Sequence, residues 1–400
     1  MAIQSHGQPQ APGSLSLSPR LKTVCAALIA VGLLILVGTI VKNPARGWHS
    51  FVVGYFYFTS LALGGLFFTA IQHLTKAGWS VNVRRLAESF TAFLPFAAIG
   101  AVLLFVGGPK LYLWFNSEAM AADPILHQKV PYLNKMFFAI RLIVFFGLWM
   151  WFAKVIVGRS LQQDKTGDEQ LTHKQVGTSI AFIMVFALSY SFFSVDAVMS
   201  LAPKFFSTIF GVYCFAGLFQ ATIATMILTI GYLRKKGKLE GFVNENHMHD
   251  LGKFLFAFTV FWAYIAFSQY MLIWYANLPE ETFFFMPRLE GSWAWVSAAL
   301  LLLKFVVPFL ALLPQWAKRS YTHLMVVSVW VLVMQFLDIY WLVYPNYNAE
   351  QVIFGLPEIA GMAFCGGLFL LSMMRFLSQN SVVAIKDPRI HESLGHHVVY

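Results

Sequence analysis

Apolar residues along this chain collect into runs of about twenty. Short stretches rich in Lys, Arg, Asn, Gly and Pro separate the runs. A helix that crosses a bilayer needs about 20 consecutive, mostly apolar residues. Ten runs meet that length, at roughly 23–41, 51–74, 86–106, 136–157, 178–201, 205–233, 254–276, 293–314, 323–343 and 355–376. Backbone groups in lipid must be satisfied within their own element, which selects helices. Strands of a membrane barrel would be about ten residues long and would alternate in polarity. The pattern therefore predicts an all-α polytopic membrane protein with about ten transmembrane helices.

Composition agrees. The chain has 400 residues, 58% hydrophobic and 12% charged, where soluble domains carry roughly 25% charge. Residues 1–20 are rich in Gln, Ser, Gly and Pro and predict a disordered tail. Residues 379–400 form a second polar tail. The first run follows Arg20 and Lys22 without a small-residue cleavage pattern, so it is expected to be a retained helix. Ten spans put both termini on one side. That side carries 19 Lys and Arg residues, against 7 on the other. The positive-inside rule then predicts cytoplasmic termini. The net charge of +10 is accounted for by these loops facing anionic lipid, and no nucleic-acid partner is implied.

Cys25, Cys214 and Cys365 are isolated, so neither a haem-attachment motif nor an iron–sulfur ligand set is present. His49, His73 and His323 fall at span ends, and the sequence predicts no metal site. The informative residues are the charges inside spans, because each costs roughly 2.5–3.5 kcal/mol at a helix centre and needs a partner or a polar cavity. Arg141, Asp196, Asp338 and Glu358 lie in the halves away from the termini, and Lys304 near mid-depth. Glu88 and His73 lie towards the termini.

These charges recur. Span two contains GLFFTAI (Gly65–Ile71) and span six GLFQATI (Gly217–Ile223). Span four reads RLIVFFGLWMWFAK from Arg141, and span eight reads KFVVPFLALLPQWAK from Lys304. Spans five and nine each carry one aspartate, Asp196 and Asp338. A weak four-helix repeat follows: spans two to five (about 49–201) and six to nine (about 204–344), flanked by spans one and ten. The repeat predicts the pairs Arg141–Asp196 and Lys304–Asp338. Such pairs either neutralise each other or exchange protons with a ligand. Proton-route candidates are Asp196, Asp338, Glu358, Arg141, Lys304, Glu88, His73 and Tyr264. A polar stripe in span seven makes Ser268, Gln269 and Tyr270, with Asp338, the candidates for holding a quinone.

Three stretches carry a resemblance over most of 21–397. HDLGKFLFAFTVFWAYIAFSQYMLIWYANLPEE (His249–Glu281) resembles the seventh helix of the F-type membrane component of bacterial alternative complex III. KVPYLNKMFFAIR (Lys129–Arg141) and DPRIHESLGHH (Asp387–His397) resemble its loop and tail. That component belongs to the NrfD/PsrC-like family of membrane subunits. The resemblance implies an NrfD-like domain at 21–378 in a bacterial cytoplasmic membrane. It also implies a part in quinol oxidation by a periplasmic cytochrome c or similar acceptor, through proton conduction and quinone binding. The quinone would be menaquinone or ubiquinone. The chain itself would bind no covalent cofactor. Haem c and iron–sulfur clusters would sit on partners: a multihaem cytochrome c, an iron–sulfur protein and a paralogous NrfD-like subunit. A stand-alone secondary transporter and a purely structural scaffold are the alternatives that the sequence leaves open.

Overall fold

The computed structural model describes residues 12–397, and ten of the helices among them are long and apolar enough to cross a membrane. These are α1 (Pro19–Lys42), α2 (Pro44–Leu74), α3 (Gly78–Leu111), α4 (Lys135–Thr166) and α5 (Gln170–Leu201). After them come α6 (Phe210–Lys235), α7 (Glu245–Ala276), α8 (Gly291–Leu312), α9 (Tyr321–Asn346) and α10 (Leu356–Gln379). No strand occurs among the described residues. The chain is an all-α, multi-pass membrane protein.

The centre is set by α2 and α6. Their most apolar stretches are 89% and 83% buried inside the protein, against 17% for α1. Around α2 pack α3 and α5, with α4 against α5 and α3. Around α6 pack α7 and α9, with α8 wedged between those two. The two groups are the expected four-helix bundles, and they meet where α2 and α5 touch α6. Helix α1 lies along α10, which in turn packs on α2. Below, "proximal" means the face that holds both described ends of the chain, and "distal" the opposite face.

Two prolines shape the spans. Pro95 cannot donate to the carbonyl four residues before it, and α3 breaks there into a 3-10 turn at Thr91–Phe93. Pro308 does the same to α8, which takes up a π-helical stretch at Leu300–Val306. The Trp330 indole donates to the Leu303 carbonyl inside that stretch at 2.7 Å. Lys304 sits in the same stretch and is buried, in line with the tendency of π-bulges to mark sites.

Small residues permit the closest crossing. A Cβ on Gly54 would overlap the Gly361 backbone, and one on Gly361 would overlap the Ser50 carbonyl. Gly361→Val is therefore expected to separate α2 from α10 and to cost about 1–3 kcal/mol by overpacking. A lower melting temperature in detergent, read by size-exclusion chromatography after heating, would show it; an unchanged melt would contradict the crossing.

The expected disordered tail reaching Arg20 is shortened. Ser18 caps α1, and Leu15 is buried with its N–H donating to Leu377 O at 3.0 Å. Residues 1–11 lie outside the described residues. The other tail, 379–400, is described to His397 and folds over the proximal face. Asp387 accepts from Arg84 at 2.6 Å, Ser393 donates to Trp79 O at 2.7 Å and His396 meets Asp250 at 2.7 Å. On the distal side, the segment between α7 and α8 forms a short helix, Pro279–Leu289, with Glu280 and Glu281 in its first turn. Acidic groups there complement the helix dipole. Nearby, between the bundles, the Lys204 ammonium lies 2.6 Å from Asp123 and holds that carboxyl below the usual range.

Candidate functional site

Both expected pairs form, and they differ in kind. In the first bundle Arg141 grips Asp196 with two parallel bonds, Nε to Oδ2 at 2.7 Å and Nη2 to Oδ1 at 2.9 Å. Its Nη1 donates to Tyr132 O at 3.0 Å, and the Tyr132 and Phe137 rings lie 4.0 and 4.4 Å from the guanidinium carbon. A forked guanidinium matched to a carboxylate is the strong form of an ion pair. Both partners are buried.

In the second bundle Lys304 Nζ lies 2.5 Å from Asp338 Oδ2 and 2.7 Å from Gln335 Oε1. It also sits 4.3 Å from the centre of the Trp262 ring. Asp338 accepts two further bonds, from Tyr213 Oη on α6 and from Trp262 Nε1 on α7 at 3.2 Å. Gln335 reaches Lys304 because α6 has no side chain at Gly217, where a Cβ would fall 2.7 Å from Gln335 Oε1. Three helices, α6, α7 and α8, therefore converge on one aspartate of α9.

Tyr213 and Trp262 are also walls of a cavity of about 500 Å³ between α7, α8, α9 and the short distal helix. On α7 the lining residues Trp262, Ala266 and Gln269 are spaced by four and three, which places them on one helical face. Phe284, Phe285 and Leu289 of the distal helix and Trp341 of α9 supply aromatic and aliphatic walls. Phe267 and Leu301, 62% and 60% exposed, stand on its flank towards the lipid side. Gln269 is buried, and its amide makes no hydrogen bond within the described residues. Its amide opens on the cavity, so it can bond a group held there.

Arg288 braces the distal helix. It is buried and donates to Phe284 O at 2.5 Å, Leu342 O at 3.0 Å and Trp341 O at 3.2 Å. Its guanidinium carbon lies 3.6 Å from the centre of the Phe284 ring. Burial lowers its pKa, yet it stays a cation at neutral pH. It thus holds Phe284 against the cavity through carbonyls and not through a carboxylate.

The remaining candidates fall elsewhere. Glu358 is held bidentately by Arg46, at 2.7 and 2.9 Å, and accepts from Tyr344 at 3.2 Å. Tyr344 stacks on Tyr340 at 4.4 Å. Tyr340 and Asp338 are two apart on a helix, about 200° around it, so Glu358 and Asp338 serve opposite faces of α9. Glu88 sits in a proximal knot in which Arg84 at 3.6 Å, Arg85 at 3.3 Å and Ser160 at 2.8 Å surround it. His73 is buried in the proximal half with Nε2 unpartnered. Tyr264 is 64% exposed, on the side of α7 away from the core. Ser268, four residues on, shares that side, is only half-buried and does not line the cavity. Of the quinone candidates, Gln269 and Tyr270 line the cavity directly, and Asp338 stands behind Tyr213 and Trp262.

Tyr213, Trp262, Gln335 and Arg288 do not stand out in the sequence as site residues. Only Trp262 carried a usable signal, since it lies two turns before Gln269 on the same face. Among the described residues, no cluster of three or more His, Cys, Asp or Glu side chains forms a metal site. Neither a family model nor a curated protein matches the chain.

Proposed function

We propose that this chain is a membrane subunit of a quinol-oxidising complex of the alternative complex III type. In this reading it lies in a bacterial cytoplasmic membrane with both termini in the cytoplasm, and its distal cavity takes the quinol head group. The observation that carries the reading is the apolar cavity ending on Tyr213 and Trp262, both bonded to the buried Asp338. Ligand pockets of this kind are mostly apolar, with a few convergent polar groups. A quinol fits that chemistry: an apolar ring with two hydroxyls, on a tail that stays in lipid. The Gln269 amide would bond one ring oxygen, and Tyr213 would face the other.

Oxidising a quinol releases two electrons and two protons. Nothing in the sequence offers a redox centre, so the electrons would leave to iron–sulfur clusters and c-type haems on partner subunits. In the proton step, the quinol O–H proton passes to Tyr213 Oη as Tyr213 gives its own to Asp338. The Lys304 ammonium is the counter-charge of the accepting carboxylate. Such positioned proton transfer contributes typically 10²–10⁴-fold. The distal position would release protons outside the cell. Arg141–Asp196, closed by its own bonds, would serve as structure in the first bundle.

Purification by a tag on this chain is the test. The preparation is expected to stain for c-type haem and to yield extractable quinone. Ala266→Trp, which fills the cavity, should lower the quinone while the haem remains. A haem-free preparation that still moves a solute would replace this reading with the transporter.

A further inference from the structure

Helices α3 and α10 pack together at the break in α3, where the Phe90 and Phe93 rings meet Phe369 at 5.5 and 5.7 Å. Beside that contact, Ala92 in the 3-10 turn Thr91–Phe93 presents only a methyl group. What remains is a groove of about 200 Å³, with Ala92 and Phe96 on one wall and Leu368, Leu371 and Phe376 on the other. The groove ends on Arg375 and Gln379. Leu368, Leu371, Arg375 and Gln379 are three or four apart, so they follow one face of α10.

Arg375 is exposed and forms no ion pair with any described carboxylate. It stands in the last turns of a span, where lipid head groups lie. Apart from Ser372, whose hydroxyl donates to Phe369 O at 2.9 Å, the groove is therefore apolar along its length and positively charged at the end that meets the membrane surface. A guanidinium matches a phosphodiester with parallel hydrogen bonds.

We propose that this groove holds one acyl chain of an anionic phospholipid whose phosphodiester rests on the Arg375 guanidinium. The ring of Phe96 lies against the chain, and Gln379 donates to a head-group oxygen. The site selects an anionic lipid because a zwitterionic head group carries its own cation, which competes with Arg375 for the phosphate. The proposal is independent of the distal cavity, and its test reads lipid and not turnover.

The test compares the purified protein, with its native partners, to Arg375→Ala and Phe96→Trp. Both positions are exposed, so both variants should fold. Each is equilibrated in micelles holding equal amounts of phosphatidylglycerol and phosphatidylcholine, and retained lipid is counted by native mass spectrometry. Each variant should keep one phosphatidylglycerol fewer than the parent, with phosphatidylcholine unchanged. Parental phosphatidylglycerol counts in either variant would overturn the proposal. So would an equal loss of both lipids, since that marks a groove indifferent to charge.

Discussion

Asp338→Asn is expected to leave the protein assembled and to slow quinol oxidation by about a hundredfold. Asparagine keeps the shape of the side chain, and its carbonyl oxygen still accepts from Tyr213 or Trp262. It cannot take a proton from Tyr213 as a carboxylate does. Lys304 loses its counter-charge but keeps Gln335 Oε1 at 2.7 Å and the face of Trp262 at 4.3 Å. The loss should therefore appear in turnover and not in assembly. Quinol-dependent acceptor reduction in membranes, normalised to haem content, is the measurement. Full turnover at normal haem content would remove Asp338 from the mechanism.

Asp196→Ala is expected to have the opposite character. It strips Arg141 of both its carboxylate bonds and leaves a buried guanidinium that cannot neutralise itself. Breaking such a pair costs roughly 3–5 kcal/mol, a large share of the roughly 5–15 kcal/mol by which domains are stable. Little assembled protein should reach the membrane. The double change Arg141→Met with Asp196→Leu should recover most of it, since apolar replacement of a buried pair is often neutral or stabilising. Protein levels and melting temperature in detergent separate the two. If Asp196→Ala assembles normally and loses turnover instead, the first bundle holds a working site and the pair is more than structural.

The ten spans were legible because lipid imposes a length on every helix that crosses it. The two ion pairs were legible because a lone charge in a span demands a partner, and the four-helix repeat supplied one in each half. Tyr213 was not, because an aromatic near a helix end reads as interfacial anchoring until its hydroxyl is seen on Asp338. The cavity was hidden for a related reason. Its distal wall is the helix Pro279–Leu289, which lies between the predicted spans seven and eight and carries a proline and two glutamates at its start. The acids sit there as a helix dipole favours. Tyr264 and Ser268 stand apart from the cavity, as the helical period of α7 allows one to see. With Trp262, Ile265, Gln269 and Ile273 forming the buried face of α7, positions 264 and 268 turn outward. Glu88 was legible as a buried acid. The pairing of its neighbour Arg84 with Asp387 was not, because the two lie 303 residues apart.

The most direct test of the distal cavity as the quinol site is photolabelling of the assembled protein with an azido-quinone in native membranes, followed by peptide mapping. Label is expected on α7 between Trp262 and Tyr270, or on the adjoining walls around Ala298 and Phe284. An excess of unlabelled quinol should abolish it, and Ala266→Trp should weaken it. Label confined to the first bundle around Arg141 and Asp196, or no label that quinol displaces, would contradict the assignment.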